Sequence, residues 1–260
     1  MTRIIAVLSG KGGVGKTTIS INLAEALNKL GRDVIVLDGN LTSPDIGINL
    51  GLTNIPASFH DALKGKKNIL NSVYLHPSGL RVIPGSINLE AIKEIDLDNL
   101  KNIFSQLRGF SEIIILDMEA GLGTETLNVL QFADEVLIVA NPEISSVVNA
   151  LKAIKLTEEM NITVLGVVLN KVRNDSFDLP ISSVETLLER PLLVKIPETD
   201  DIRKAQYKKQ TLFSNSPNSD AVASFKKLAA YLVGEKYEEN LKMPKENNLW
   251  QGIFTNLGLK

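Results

Sequence analysis

Residues 10–18 read Gly-Lys-Gly-Gly-Val-Gly-Lys-Thr-Thr, directly after an apolar run at 4–8 and directly before a helix-like stretch. The spacing GxxxxGK[ST] is met by Gly10, Gly15, Lys16 and Thr17, and each residue type has a physical task. Glycines leave backbone N–H groups free to converge on phosphate oxygens, and a following helix adds its positive N-terminal dipole. The run Gly10, Lys11, Gly12, Gly13, Val14, Gly15, Lys16, Thr17 and Thr18 is therefore a candidate phosphate cradle. Within it Lys16 can reach the β- and γ-phosphates as a point charge, and the Thr17 hydroxyl is placed to ligate Mg²⁺. A second lysine, Lys11, sits inside the loop, where most loops of this type have none.

Two strand-end carboxylates belong with this loop. Asp117 closes the apolar run 113–116 and resembles an aspartate that holds Mg²⁺ through water near a phosphate loop; a turn-capping role is the alternative. The segment 117–123, Asp-Met-Glu-Ala-Gly-Leu-Gly, then supplies glycines where a loop could reorganise around a γ-phosphate. Asp38 follows the run 34–37 and could orient a water in the Mg²⁺ shell. A second-strand acid also suits the ribose of a dinucleotide, but no GxGxxG is present and Lys16 has no task in such a site.

The elements that must position these groups are legible as a pattern. Short β-rich runs at 4–8, 34–37, 80–83, 113–116, 136–139, 164–169 and 192–196 are largely apolar throughout, as in strands covered on both faces. Amphipathic stretches at 17–30, 97–107, 147–160 and 221–233 supply crossover helices. The alternation predicts an α/β fold: a doubly wound, mostly parallel sheet with helices on both faces and a ligand at the carboxyl ends of the strands. One domain is expected over 1–235, a Glu-, Lys- and Asn-rich linker over 236–248, and a C-terminal amphipathic segment over 249–260.

Composition narrows the function. The chain has 260 residues, 44% of them hydrophobic, with 28 Lys and Arg against 30 Asp and Glu, so no global basic field points to nucleic acid. The absence of cysteine excludes disulfides and thiolate-held metals or clusters. His60 and His76 lack a companion cluster and are expected to be loop or surface residues rather than ligands. No signal-like leader is seen and no apolar run approaches the ~20 residues that span a bilayer, so the expectation is a cytoplasmic protein with peripheral membrane contact left open.

The loop with its extra lysine resembles the deviant Walker A motif of the MinD/ParA class of P-loop ATPases. Further likenesses cover nearly all of 1–235: the 117–123 segment, Asn-Pro-Glu-Ile-Ser-Ser at 141–146, Leu-Asn-Lys-Val-Arg at 169–173, and Ile-Pro-Glu at 196–198 before a helix at 200–209. The 140–147 run and the Ile-Pro-Glu stretch look MinD-like, of archaeal or bacterial type. The resemblance implies ATP/ADP and Mg²⁺ as ligands, with Thr17, Asp38 and Asp117 around the metal. It also implies an ATP-dependent homodimer in which Lys11 reaches the partner's phosphates, as an arginine finger does. Asn170 would read adenine, with Arg173, Pro197 and Glu198 around the base; a strand-end turn is the other reading of Asn170.

One position departs from the family. MinD-like proteins usually carry an aspartate where this chain has Asn40, and an amide neither accepts a full proton nor supplies negative charge. Slow or impaired hydrolysis with intact binding is the expectation, unless Asp45 substitutes by an inward fold of the same segment. Ser43-Pro44-Asp45 is similar to the Mrp-type branch and the Met-Glu-Ala-Gly run at 118–121 to nickel-insertion relatives, but both rely on cysteines this chain lacks.

The family's bacterial MinD members end in a short membrane-lying helix, and 249–260 resembles it. Trp250, Ile253, Phe254 and Leu257 stand at i, i+3, i+4 and i+7, which puts them on one helical face. No Lys or Arg lies between 249 and 259, so lipid attraction would rest on Lys242, Lys245 and Lys260 at ~1 kcal/mol each. Membrane, a partner or second subunit, and the chain's own domain remain its three possible contacts. The functional expectation is a MinD-like switch controlling spatial positioning, as in division-site selection, with a nucleotide-gated adaptor and a ParA-like partitioning ATPase as alternatives.

Overall fold

A computed structural model describes residues 2–52, 55–88, 90–91, 95–173 and 175–237. The predicted segment 249–260, and the predicted linker beyond its first two residues, lie outside the described residues.

Among the described residues eight strands form one sheet: β1 (Arg3–Leu8), β2 (Val34–Asp38), β3 (Tyr74–Leu75), β4 (Arg81–Ile83), β5 (Ile113–Asp117), β6 (Glu135–Ala140), β7 (Thr163–Val172) and β8 (Leu192–Pro197). Their order is β3-β4-β2-β5-β1-β6-β7-β8. Every pairing is parallel except β3 with β4. All seven strands read from the sequence are present. The addition is β3, a two-residue edge strand too short to carry a periodic signal.

The central strands are buried on both faces because consecutive side chains enter two separate cores. Ile4, Ala6 and Leu8 of β1 join one core with α3 (Phe59–Leu63), α4 (Leu100–Leu107), α5 (Thr124–Leu130), α6 (Ile144–Glu159) and α7 (Ile181–Leu188). Ile5 and Val7 face the other, built with α1 (Lys16–Lys29), α2 (Ile46–Asn49), α8 (Asp200–Tyr207), α9 (Leu212–Asn215) and α10 (Asp220–Val233). Phe104 and Phe132 stack at 4.7 Å in the first core. The register aligns Val7 of β1 and Asp38 of β2 with Asp117 of β5, so both strand-end acids sit at one level beside the loop that follows β1.

His76 lies in the turn between β3 and β4, the loop position the sequence suggested, whereas His60 stands in α3. His60 is fully buried and His76 nearly so. Ser58 and Asp61 form a capping box that starts α3 and turns His60 inward. Its Nε2 lies 2.9 Å from the Leu41 carbonyl oxygen, and its Nδ1 accepts the Ser86 N–H at 3.0 Å. A neutral ring with Nε2–H therefore joins the loop after β2 to the loop after β4.

Burial lowers the His60 pKa, opposed by the Leu41 contact and Asp61 and aided by Lys64. The unfolded chain then binds the proton more readily, so this contribution to stability is full above the unfolded pKa of about 6.5 and falls as pH drops below it. Asp38 and Asp117, whose pKa values are raised, act with the opposite sign. The difference between wild type and His60→Gln isolates the histidine: the wild-type advantage in thermal midpoint should shrink between pH 7.5 and 5.5 by calorimetry. Parallel profiles would show that the clamp is not His60.

Candidate functional site

The loop after β1 reaches the N-terminus of α1 through two left-handed glycines, Gly13 at φ 76° and Gly15 at φ 98°. Gly15 is the helix cap residue; no side chain caps the helix and no acid lies in its first turn. Close approach explains the other requirement for glycine. A Cβ on Gly10 would overlap the Asn149 carbonyl of α6, and one on Gly15 would overlap the Asn170 amide nitrogen. Three side chains brace the loop through its carbonyls: Ser9 to Lys11 at 2.8 Å, Asn170 to Val14 at 2.7 Å and Lys171 to Gly13 at 2.7 Å. The carbonyls are thus engaged from outside, and an uncapped, positively polarised helix end faces the cavity.

That cavity encloses about 690 Å³ and is lined by Gly13, Gly15, Lys16, Thr17 and Thr18 on one side, and by Asn170, Pro197 and Glu198 on another. Its size falls in the ordinary range for small-molecule sites. Lys16 is only 8% exposed, yet its ammonium makes no ion pair or hydrogen bond among the described residues. Burial lowers its pKa, against the opposing fields of Asp117, Asp45 and Glu119. A buried, unpaired ammonium beside an uncapped helix end is a site built for an anion.

Asp117 is also buried, and both its oxygens are occupied. Thr17 Oγ1 donates to one at 2.7 Å and Ser20 Oγ to the other at 2.8 Å. Burial raises its pKa to about 6, with the two hydroxyls and then Lys16 opposing. Because Thr17 spends its proton on Asp117, its oxygen lone pairs remain for a cation, so the pair fits Mg²⁺ with Thr17 as direct ligand and Asp117 behind it.

The segment after β2 is ordered by its own polar groups. Asp38 is fully buried and outside the cavity wall, where it accepts the N–H of Asn40 at 3.3 Å and of Ile46 at 3.0 Å. Burial, then the charge of Asp117, pushes its pKa well above the usual carboxylate value. Asn40 lines the cavity, but its amide is committed to a turn: Nδ2 donates to the Ser43 carbonyl at 2.6 Å and Oδ1 accepts the Ser43 N–H at 3.0 Å. The Thr42 hydroxyl donates to Glu119, tying this segment to the one after β5.

On the far side, Pro197 and Glu198 at the end of β8 form cavity wall, whereas Arg173 is reached only through its ion pair with Glu198. Helix α8 joins α1 there, as Gln206 Nε2 donates to Thr18 Oγ1 at 2.9 Å. One turn along, Asn22 Nδ2 donates to the Thr18 carbonyl at 2.8 Å, while Asn22 Oδ1 accepts the Leu212 N–H at 3.0 Å. Lys11, Gly10, Gly12 and Val14 are not on the cavity wall. The Lys11 ammonium points instead to Glu143 at 3.0 Å and Ser145 at 3.2 Å. This exposed pair is of a kind worth ~0–1 kcal/mol, so the contact is readily exchanged.

Sequence reasoning missed Ser20, Lys171, Gln206 and Thr42. Ser20 carried a signal in its spacing, standing three residues after Thr17 in a helix and hence on the same face, and Lys171 lay within the 169–173 likeness without an assigned task. The others meet the site through tertiary packing.

Fold and site together define a phosphate-loop α/β protein that binds a nucleotide at the carboxyl ends of its parallel strands. The sequence matches the CobQ/CobB/MinD/ParA nucleotide binding domain over residues 5–212, and the chain belongs to that family. It is 39% identical to an uncharacterized ATP-binding protein of Methanocaldococcus jannaschii, over 95% of this chain and 94% of that one. Its structure superposes on the septum site-determining protein MinD of Pyrococcus horikoshii, solved with Mg-ADP, at a TM-score of 0.85 and 31% identity, covering 89% and 96% of the two chains. The cell division ATPase MinD of Pyrococcus furiosus gives 0.86 and 32%, covering 90% and 99%.

The loop's dependence on glycine is testable. Gly15→Ala forces a left-handed alanine, at a cost of about 1–2 kcal/mol, and drives its methyl into Asn170. Nucleotide affinity measured by fluorescence titration should fall at least about tenfold, since 1.4 kcal/mol is one decade, with circular dichroism unchanged. Wild-type affinity in a folded variant would contradict the close packing.

Proposed function

We propose that this protein is a MinD-like ATP switch: residues 1–235 bind ATP with Mg²⁺, two loaded subunits associate through their phosphate loops, and slow hydrolysis returns them to monomers. The observation that carries the reading is the buried, unpaired Lys16 ammonium at the uncapped start of α1. ATP meets it with phosphate oxygens, Thr17 and Asp117 would hold Mg²⁺, and the bound ion neutralises charge on those oxygens. The chain's own groups position the phosphates through the loop N–H groups and shield the site with the segments around Asn40 and Glu119.

Dimerisation rests on Lys11. Its weak surface pairing with Glu143 leaves a cation at the edge of the phosphate site, where a second subunit's nucleotide would offer a stronger counter-charge. Asn170, with Arg173, Pro197 and Glu198 nearby, suits a base at the other end of the cavity. The cellular reading is a cytoplasmic protein that meets a membrane or a partner peripherally through 249–260 and so positions another component. A hydrolysis-deficient, nucleotide-gated adaptor is the second reading, favoured by the commitment of Asn40 to its own turn.

Turnover and association, measured together, test this. Lys16→Ala should lose ATP affinity about a hundredfold or more, as expected for an uncompensated phosphate charge contact of about 3 kcal/mol. Lys11→Ala should bind ATP nearly as wild type, remain monomeric by light scattering with ATP and Mg²⁺, and turn over at least about a thousandfold more slowly, the lower end of what an arginine finger supplies. A Lys11→Ala protein that dimerises and hydrolyses as wild type does would remove the cross-subunit model.

A further inference from the structure

Four carboxylates gather at the ends of β2 and β5, three of them close enough for their charge to act on Lys16, and hydrogen bonding separates their tasks. Asp117 gives both oxygens to Thr17 and Ser20. Asp38 is sealed from the cavity and holds the backbone of Asn40 and Ile46. Glu119 lines the cavity but receives the Thr42 hydroxyl. Asp45 also lines the cavity, and its carboxylate makes no hydrogen bond or ion pair among the described residues. It is nonetheless close enough to Lys16, Asp38 and Asp117 for its charge to act on all three.

An unengaged carboxylate on an exposed loop would mean little if the loop were free, but Asp45 is mounted on both sides. Ile46, the next residue, has its N–H fixed by Asp38 at 3.0 Å. Pro44, the preceding residue, is buried so closely on Gly85 that a Cβ there would overlap it. The Asn40 amide closes the turn that leads into Pro44 by bonding both the N–H and the carbonyl of Ser43. Asn40 is thereby a fastener of the segment, and the acid it fastens is Asp45.

We infer that Asp45 is the carboxylate that orients the attacking water and receives its proton during ATP hydrolysis; the inference rests on the ATPase reading above. The water oxygen bonds to the γ-phosphorus as the bond from that phosphorus to the β,γ-bridging oxygen breaks, and the electron pair leaves with ADP. The proton released by the water passes to the Asp45 carboxylate and from there to solvent, giving ADP, inorganic phosphate and one proton. The Lys16 ammonium, close to Asp45, stabilises the negative charge that spreads over the phosphoryl oxygens.

The experiment compares wild type, Asp45→Asn and Asp45→Glu in full-length protein, with single-turnover ATP hydrolysis and ATP affinity measured separately. Asp45→Asn keeps size and shape, and it should slow hydrolysis about a hundredfold, the lower range of general base catalysis, while ATP affinity stays within twofold. Asp45→Glu, which keeps the acid at a longer reach, should recover part of that loss. A loss smaller than tenfold in Asp45→Asn, an equal loss of affinity and rate, or Asp45→Glu no faster than Asp45→Asn each overturns the assignment while leaving the ATPase reading in place. A wild type that binds ATP without turning it over overturns both.

Discussion

The site depends on one buried carboxylate. Asp117 ends the strand that lies between β1 and β2, so it stands beside the phosphate loop on one side and beside Asp38 on the other. Desolvation makes that charge costly, and two hydroxyls from successive turns of α1 offset the cost. The same bonds lock the rotation of α1 about its axis, which places Lys16 in the cavity and Thr17 at its floor. Without Asp117 the loop glycines would still turn the chain and α1 would still pack on its core, but the first turn of the helix would lose the two bonds that tie it to β5.

Most of the frame was legible in the sequence for a simple reason. Central parallel strands are apolar on both faces, so runs such as 34–37 and 113–116 announce themselves, and the phosphate loop has a spacing that few other structures need. Harder to see were features that depend on contacts far apart in the chain. His60 looked like an isolated polar residue because its partners, Leu41 and Ser86, lie 19 and 26 positions away. Asn40 stood out in the sequence as a departure from the family pattern and lines the cavity, but its commitment to a turn with Ser43 is a matter of local geometry that residue type alone does not dictate. Helices α5 and α7 were not named because each offers only two turns of pattern.

The phosphate-loop wall of the cavity is tied by hydrogen bonds to the helices beyond β8. Thr18 bonds Gln206 of α8 through its hydroxyl and Asn22 through its carbonyl, and Asn22 in turn holds Leu212 at the start of α9. Helices α8 and α9 thus share hydrogen bonds with the first two turns of α1. A shift at the start of α1 is felt directly by the elements that precede α10, the last helix of the described chain.

The alignment of Asp38 with Asp117 has a consequence for the life of the molecule. Burial and the neighbouring charge of Asp117 make Asp38 costly to ionise, and a divalent cation bound nearby with its nucleotide would remove part of that burden. A nucleotide-free form would then be the less durable one, with a larger share of its population open to proteases. Nucleotide supply and the lifetime of the chain would thus meet at one pair of carboxylates.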